Sequence, residues 1–197
     1  MIEAIENRRS IRRYSNVDIP EDIILEIVEA GVKAPSAKNR QSWKFIIVKE
    51  ESRKGMLEAF QNGLEKEKYG NGILQNSKQH LAGAEYTLEI LRKAPVTIFV
   101  LNLEGKDLFQ MLTPEEKIYE IANIESISAA IQNMILAATE MGIGSLWVCD
   151  VFFAYRELSE WLNTDGEMIA AVTFGYPLES PKARPRKKLS DVLEWRK

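Results

Sequence analysis

Four short segments concentrate residues able to bind or orient a ligand. The first is Arg8-Arg9-Ser10-Ile11-Arg12-Arg13, with four arginines and a hydroxyl inside six residues. Guanidinium forks match the oxygens of a phosphate, and serine adds a short donor; a solvated basic loop would have the same composition. The second, Ala34 to Trp43 (APSAKNRQSW), sets Pro35, Ser36, Asn39 and Gln41 between a helix end and a strand. Amide side chains offer donors and an acceptor, the pattern of a heterocycle's amide edge, although a capped turn uses the same residues. The third, Gly142-Ile143-Gly144-Ser145, joins a helix to a strand. Glycine lets backbone approach a flat ligand; a helix stop accounts equally well for Gly142 and leaves Gly144 less readily explained. The fourth is the basic tail Lys182 to Lys188, with Arg184, Arg186 and Lys187. It suits a phosphate clamp or a soluble tail better than a nucleic-acid surface, since one short patch on a chain of net charge -3 is little footing for polyanion binding.

The rest of the inventory narrows the chemistry. The single histidine, His80, lies in a polar stretch without a nucleophile elbow and reads as a solvent-exposed helix residue. One cysteine, Cys149, allows no disulfide within the chain and no Cys/His metal cluster, so no metal site is expected. Cys149 follows apolar residues in a strand and is expected as a buried small hydrophobe rather than a redox thiol. Chemistry in such a chain falls to a bound cofactor. The N-terminus lacks the apolar core of a signal peptide, and no run approaches the roughly 18 apolar residues of a membrane span. A cytoplasmic chain with neither membrane nor nucleic-acid partners is expected.

Periodicity supplies the elements that must position these segments. At 197 residues the chain suits one domain, spanning 1–197. Pro20-Glu21-Asp22 opens a helix with the stripe Ile23, Ile24, Ile27 and Val28, which ends before Pro35. WKFIIV (43–48) reads as a strand buried on both faces. A surface helix over 51–61, a polar stretch over 62–77 and a helix up to Arg92 precede a second strand, VTIFVLN. The connection 103–118 carries Phe109 and Met111 and is long enough for a lid or binding loop. Phe109, Met111 and Tyr119 are pocket candidates, or else aromatic and apolar cover for the core. A long helix from Tyr119 to Met141 has small residues that would admit a neighbouring helix, as in a dimer core or a monomer's central helix. The strand SLWVCDV, the helix YRELSEWL and the strand MIAAVTFGY follow. Helices outnumber strands without regular alternation, which points to an α+β fold: a mixed central sheet flanked by helices in three layers.

Taken together and in this order, RRSIRRY, APSAKNRQSW, AAIQNMILAATEMGIGS, FGYP and a basic tail resemble the nitroreductase family of FMN enzymes over nearly the whole chain. The resemblance implies an intertwined homodimer. It implies that Arg8, Arg9, Ser10 and Arg12 hold the FMN phosphate, ribityl chain and pyrimidine edge, completed by Arg184, Arg186 or Lys187. Pro35, Ser36, Asn39 and Gln41 would reach the ring from the other subunit, and Gly142, Ile143, Gly144 and Ser145 would lie along it. NADH or NADPH would donate a hydride to the flavin, and an electron-poor small molecule would collect two electrons in a ping-pong cycle. Ser42 stands where the family's second motif usually has proline, and 62–118 matches no family motif.

Overall fold

The computed structural model describes residues 2–196. Four strands form one sheet in the order β1 (Trp43–Val48), β2 (Val96–Asn102), β4 (Glu167–Gly175), β3 (Gly144–Val148). All three pairings are antiparallel, with registers such as Trp43 opposite Asn102 and Gly144 opposite Gly175. Parallel pairing, expected from a mixed sheet, is confined to an isolated bridge between Ser10 and Ser145.

Side chains alternate across β2 and so divide the core into two layers. Phe99 and Leu101 join one cluster; Val96, Ile98 and Val100 join the other. Helices α3 (Glu50–Tyr69), α4 (Leu81–Lys93) and α6 (Tyr155–Leu162) cover the first face. Helices α2 (Glu21–Val32) and α5 (Pro114–Glu140) cover the second, while a short α1 (Glu3–Asn7) leads into the arginine segment. Each fully buried Phe, Ile or Leu contributes about 1.5–3 kcal/mol to such a core.

Three elements differ from the sequence-based expectations. The helix expected over 51–61 runs on to Tyr69, because Met56, Phe60, Leu64 and Glu67 keep burying one helical face. Gly63 lies inside it where a Cβ would come within 2.3 Å of Ala154 Cβ, so the turn 150–154 can pack directly on the helix. The long helix begins at Pro114 rather than Tyr119. Thr113 and Glu116 form a reciprocal capping box: Thr113 Oγ1 accepts from Glu116 N–H at 3.3 Å, and Thr113 N–H donates to the Glu116 carboxylate at 2.9 Å. By length and mean hydropathy (1.2 over its most apolar window) α5 could cross a membrane, yet Ile127, Ile131 and Met134 are buried against α2 and the sheet. Finally, β1 is an edge strand with Ile47 39% exposed, so it is not buried on both faces.

Gly144 is accounted for by packing. A Cβ there would meet three side-chain atoms of Ile11 at 2.9–3.0 Å. Gly144→Ala is therefore expected to lower stability by about 1–3 kcal/mol. The loss should shrink in an Ile11→Ala background; equal losses in both backgrounds, measured by thermal unfolding, would show that the Ile11 contact does not set the cost.

Candidate functional site

The chain leaves α1 extended, and residues 10–15 are clamped onto the ends of β3 and β4. Ile11 N–H donates to Ser145 O (2.9 Å), Ser15 N–H to Tyr176 O (2.9 Å), and Leu178 N–H to Arg13 O (2.9 Å). The buried Tyr14 hydroxyl donates to Ile11 O at 2.7 Å and lies 2.8 Å from Thr173 Oγ1. Burial pushes that phenol well above its ordinary range, so it stays a neutral donor. Glu179 Oε1 accepts Arg12 N–H (2.5 Å) and Arg13 N–H (3.2 Å). The carboxylate thereby serves backbone and leaves the guanidinium groups unclaimed.

A fixed backbone then aims the side chains of Arg8, Arg9, Ser10 and Arg12 at a cavity of about 290 Å³. The basic tail closes its other side with Lys182, Arg184 and Arg186. Among the described residues, none of these cations forms a salt bridge. Arg9 donates only to the carbonyls of Glu6 and Arg8 (2.6 and 2.8 Å), and Arg12 to that of Ser10 (3.3 Å). Six cations thus face one cavity that a single carboxylate, Glu6, also lines. Such an arrangement fits a phosphate. Lys187, exposed in the tail, does not line it.

The glycine segment is mostly committed to structure. Gly142, at φ +71°, ends α5, donating to Thr139 O at 3.1 Å while Ile143 N–H reaches Ala138 O at 2.8 Å. Ile143 and Ser145 are buried, and the Ser145 carbonyl is taken by Ile11. Of the four residues, only Gly142 is exposed.

Pro35 leads into a turn of unusual backbone. Lys38, Asn39 and Gln41 all hold left-handed φ values, 53°, 54° and 52°. Non-glycine residues in that region cost about 1–3 kcal/mol each, with Asn the most tolerant. The turn is braced from within and from below. Ser36 Oγ accepts Gln41 N–H (3.1 Å), and Ala37 N–H donates to Ser126 Oγ on α5 (3.1 Å). Gln41 Nε2 donates to Asn39 Oδ1 at 3.2 Å, with both side chains in solvent. Arg40 stacks on Tyr119 at 5.0 Å and faces Glu104 at 3.6 Å, and Lys38 lies 5.7 Å from the same ring.

These two groups stand at opposite corners of the sheet. Ser10 bridges Ser145, which pairs with Phe174 on β4; the turn feeds Trp43, which pairs with Asn102 opposite Glu167. Seven residue steps along β4 and three strand spacings across it separate the corners by roughly 25–30 Å. One chain does not bring them together. Of the pocket candidates, Tyr119 joins the turn, and Phe109 packs edge-on against Tyr155 at 6.1 Å beneath Arg156. Met111 is 96% exposed. Arg40 and Glu179 carry no local sequence signal as site residues, beyond Glu179 being the first carboxylate after FGYP. Cys149, expected to be buried, is exposed, because β3 ends at Val148 and the chain turns away.

The family model described as "Nitroreductase family" matches residues 5–176, and the chain belongs to that family. A Methanothermobacter thermautotrophicus protein whose name pairs NADH dehydrogenase with NAD(P)H nitroreductase is 28% identical, over 93% of this chain and 81% of its own. An iodotyrosine deiodinase from Thermotoga neapolitana is 25% identical over 96% and 95%. A Desulfovibrio desulfuricans structure solved in complex with FMN superimposes with a TM-score of 0.72 at 25% identity, covering 100% and 96% of the two chains.

Beneath the 103–113 connection, Tyr155 donates a hydrogen bond to Glu167. Burial raises the Glu167 carboxyl above its ordinary range, aided by Asp107 and Glu120. A carboxyl whose pKa is higher folded than unfolded lowers stability as pH rises through that interval. Glu167→Gln keeps an acceptor for Tyr155 and removes the charge. It should melt higher than the parent at pH 7–8 and converge with it near pH 4; a constant difference across that range would contradict the assignment.

Proposed function

We propose that the chain is an FMN-dependent oxidoreductase working as a homodimer, with each flavin site built from both subunits. The observation that carries this reading is the cavity of unpaired guanidinium groups, in a chain of a family with an FMN-complexed relative. Bound there, FMN supplies two-electron hydride chemistry between NAD(P)H and an electron-poor acceptor such as a nitroaromatic or quinone.

The residues divide that task. Arg8, Arg9, Ser10, Arg184 and Arg186 hold the phosphate and ribityl chain. Arg12 supplies positive charge toward the pyrimidine edge, where reduction leaves negative charge. Pro35, Ser36, Asn39 and Gln41 of a second copy contact the ring, and Gly142 to Ser145 border it. No protein acid or base is required, which accords with one exposed histidine.

The half-site separation supports the second copy, and so does unpartnered apolar surface. Ile118, Ile121 and Ile124 on α5 are 65, 56 and 41% exposed, and Trp195 in the tail is 78% exposed. These residues suit burial against another chain. Reductive dehalogenation of an aromatic substrate is the second reading, favoured by the deiodinase relative.

The direct test is an absorbance spectrum of the purified protein, followed anaerobically through NADH, NADPH and then a nitroaromatic or quinone. Flavin bands near one per chain should bleach with a nicotinamide donor and return with the acceptor. Bands that no nicotinamide bleaches would indicate a binding protein, and absence of flavin even after FMN is added would overturn the proposal.

Two variants probe the division of labour. Arg12→Ala removes charge-assisted hydrogen bonds worth about 1.5–3 kcal/mol each, so flavin retention or reduction should fall at least ten-fold. Arg12→Ala and Asn39→Ala chains, each impaired alone, should recover activity when unfolded and refolded together. A mixed dimer carries both defects in one site and none in the other; no recovery despite confirmed mixed dimers would refute the shared site.

A further inference from the structure

A second cavity, remote from the arginine segment, lies between the C-terminal end of α3, the turn 70–73 and the start of α6. It encloses about 230 Å³. At about 30 Å³ per water-sized group, it has room for roughly eight heavy atoms. Its floor holds Glu67, whose side chain is 2% exposed. Glu67 Oε1 accepts two backbone N–H groups, from Ile73 at 2.6 Å and Leu74 at 2.9 Å. Its other oxygen, Oε2, is buried and has no hydrogen-bond partner among the described residues. A carboxylate oxygen shut away from water without a donor is costly, and the fold supplies no cation to it.

The two cations lining the cavity are engaged elsewhere. Lys66 donates to Glu157 at 2.6 Å, and the Arg156 guanidinium lies over the Phe109 ring at 4.6 Å. With Glu67 and Glu157 they balance the charge of the lining, and the excess of carboxylate lies in the neighbouring groove. Phe153 and Tyr155 provide apolar and aromatic wall. Over the carboxylate sits Gly72, where even a Cβ would fall 2.0 Å from the Glu67 carboxyl carbon. Admitting a donor to Oε2 requires this cover, Gly72 included, to shift.

An open groove of about 740 Å³ adjoins the cavity, the two sharing Lys66, Asn71 and Glu157. The groove adds Glu58, Glu65 and Glu160. Along both, five carboxylates face two cations. Glu160 is close enough to help raise the Lys66 pKa, after the larger effect of Glu157.

We propose that this cavity and the adjoining groove together bind a linear aliphatic diamine or polyamine. One primary ammonium donates to Glu67 Oε2, the methylene chain runs past Phe153 and Tyr155, and the second ammonium reaches the groove carboxylates, Glu160 foremost. An ammonium meets the buried oxygen's need for a charged donor. A second positive charge at chain's length matches the acidic groove beside the pocket. A free phosphate or carboxylate ligand would face charge of its own sign there. The site involves no residue of the arginine cavity or of the 36–41 turn, and it stands or falls independently of the flavin reading.

The test is calorimetric titration of the intact protein with 1,4-diaminobutane and spermidine, with n-butylamine and 1,4-butanediol as controls. The expected result is one diamine per chain, weaker binding of n-butylamine and none of the diol. Glu67→Gln keeps an acceptor for Ile73 and Leu74 and should weaken diamine binding ten-fold or more. Glu160→Gln, on the surface and neutral for folding, should weaken the diamine while leaving n-butylamine unchanged. Absence of diamine binding, or binding unaltered by Glu67→Gln in a variant with unchanged unfolding temperature, would overturn the proposal. Tighter binding of a lysine-containing peptide than of any diamine would also overturn it, by identifying the groove as a protein-docking surface.

Discussion

Everything at the arginine cavity depends on backbone hydrogen bonds that leave the guanidinium groups free. Arginines crowded into one segment repel one another, and a chain of net charge -3 has carboxylates enough to neutralise them. Instead, the Glu179 carboxylate is spent on the N–H groups of Arg12 and Arg13. Tyr14, Ile11 and Ser15 hold the strand-like path through Thr173, Ser145 and Tyr176. The cost of crowding like charges is carried by this clamp, and the charge stays available to an anion. Gly144 belongs to the same device, since only a residue without a Cβ lets Ile11 lie flat on β3.

The sheet imposes the second constraint. Because β3 and β1 are opposite edges, the clamp and the left-handed turn at 38–41 sit on diagonal corners. Both are expensive structures: one gathers cations, the other holds three non-glycine residues at positive φ. Strain of that kind persists where the surroundings over-determine it, here through Ser36, Ser126 and the Tyr119 ring. In the proposed homodimer a partner chain would carry one corner to the other, with the exposed isoleucines of α5 as the surface for it.

Much of this was legible in the sequence, for identifiable reasons. The β1, β2 and β4 segments and the α6 segment announce themselves by short apolar or amphipathic runs between breakers, and the structure keeps their bounds closely. The arginine segment and basic tail could be paired through their shared fitness for phosphate, and they do line one cavity. What was hidden depended on long-range partners. Glu179 caps backbone 166 residues away, which no local pattern encodes. Gly144, suited to clearance for a flat ligand, also makes room for Ile11, which no local pattern encodes. The polar composition of 62–69 masked a helix whose stability comes from one buried face against residues 150–154. Cys149 lost its expected burial to a strand end one residue earlier.

The central claim, that unpaired guanidinium groups at this cavity bind the phosphate of FMN, is tested most directly by comparing FMN with riboflavin on flavin-stripped protein. Fluorescence titration at low and high salt separates the phosphate's contribution from that of the ring. Two charge-assisted hydrogen bonds predict a preference for FMN of about 100-fold or more, shrinking as salt screens the site. Equal affinity for the two flavins, or a preference that salt leaves untouched, would contradict the account.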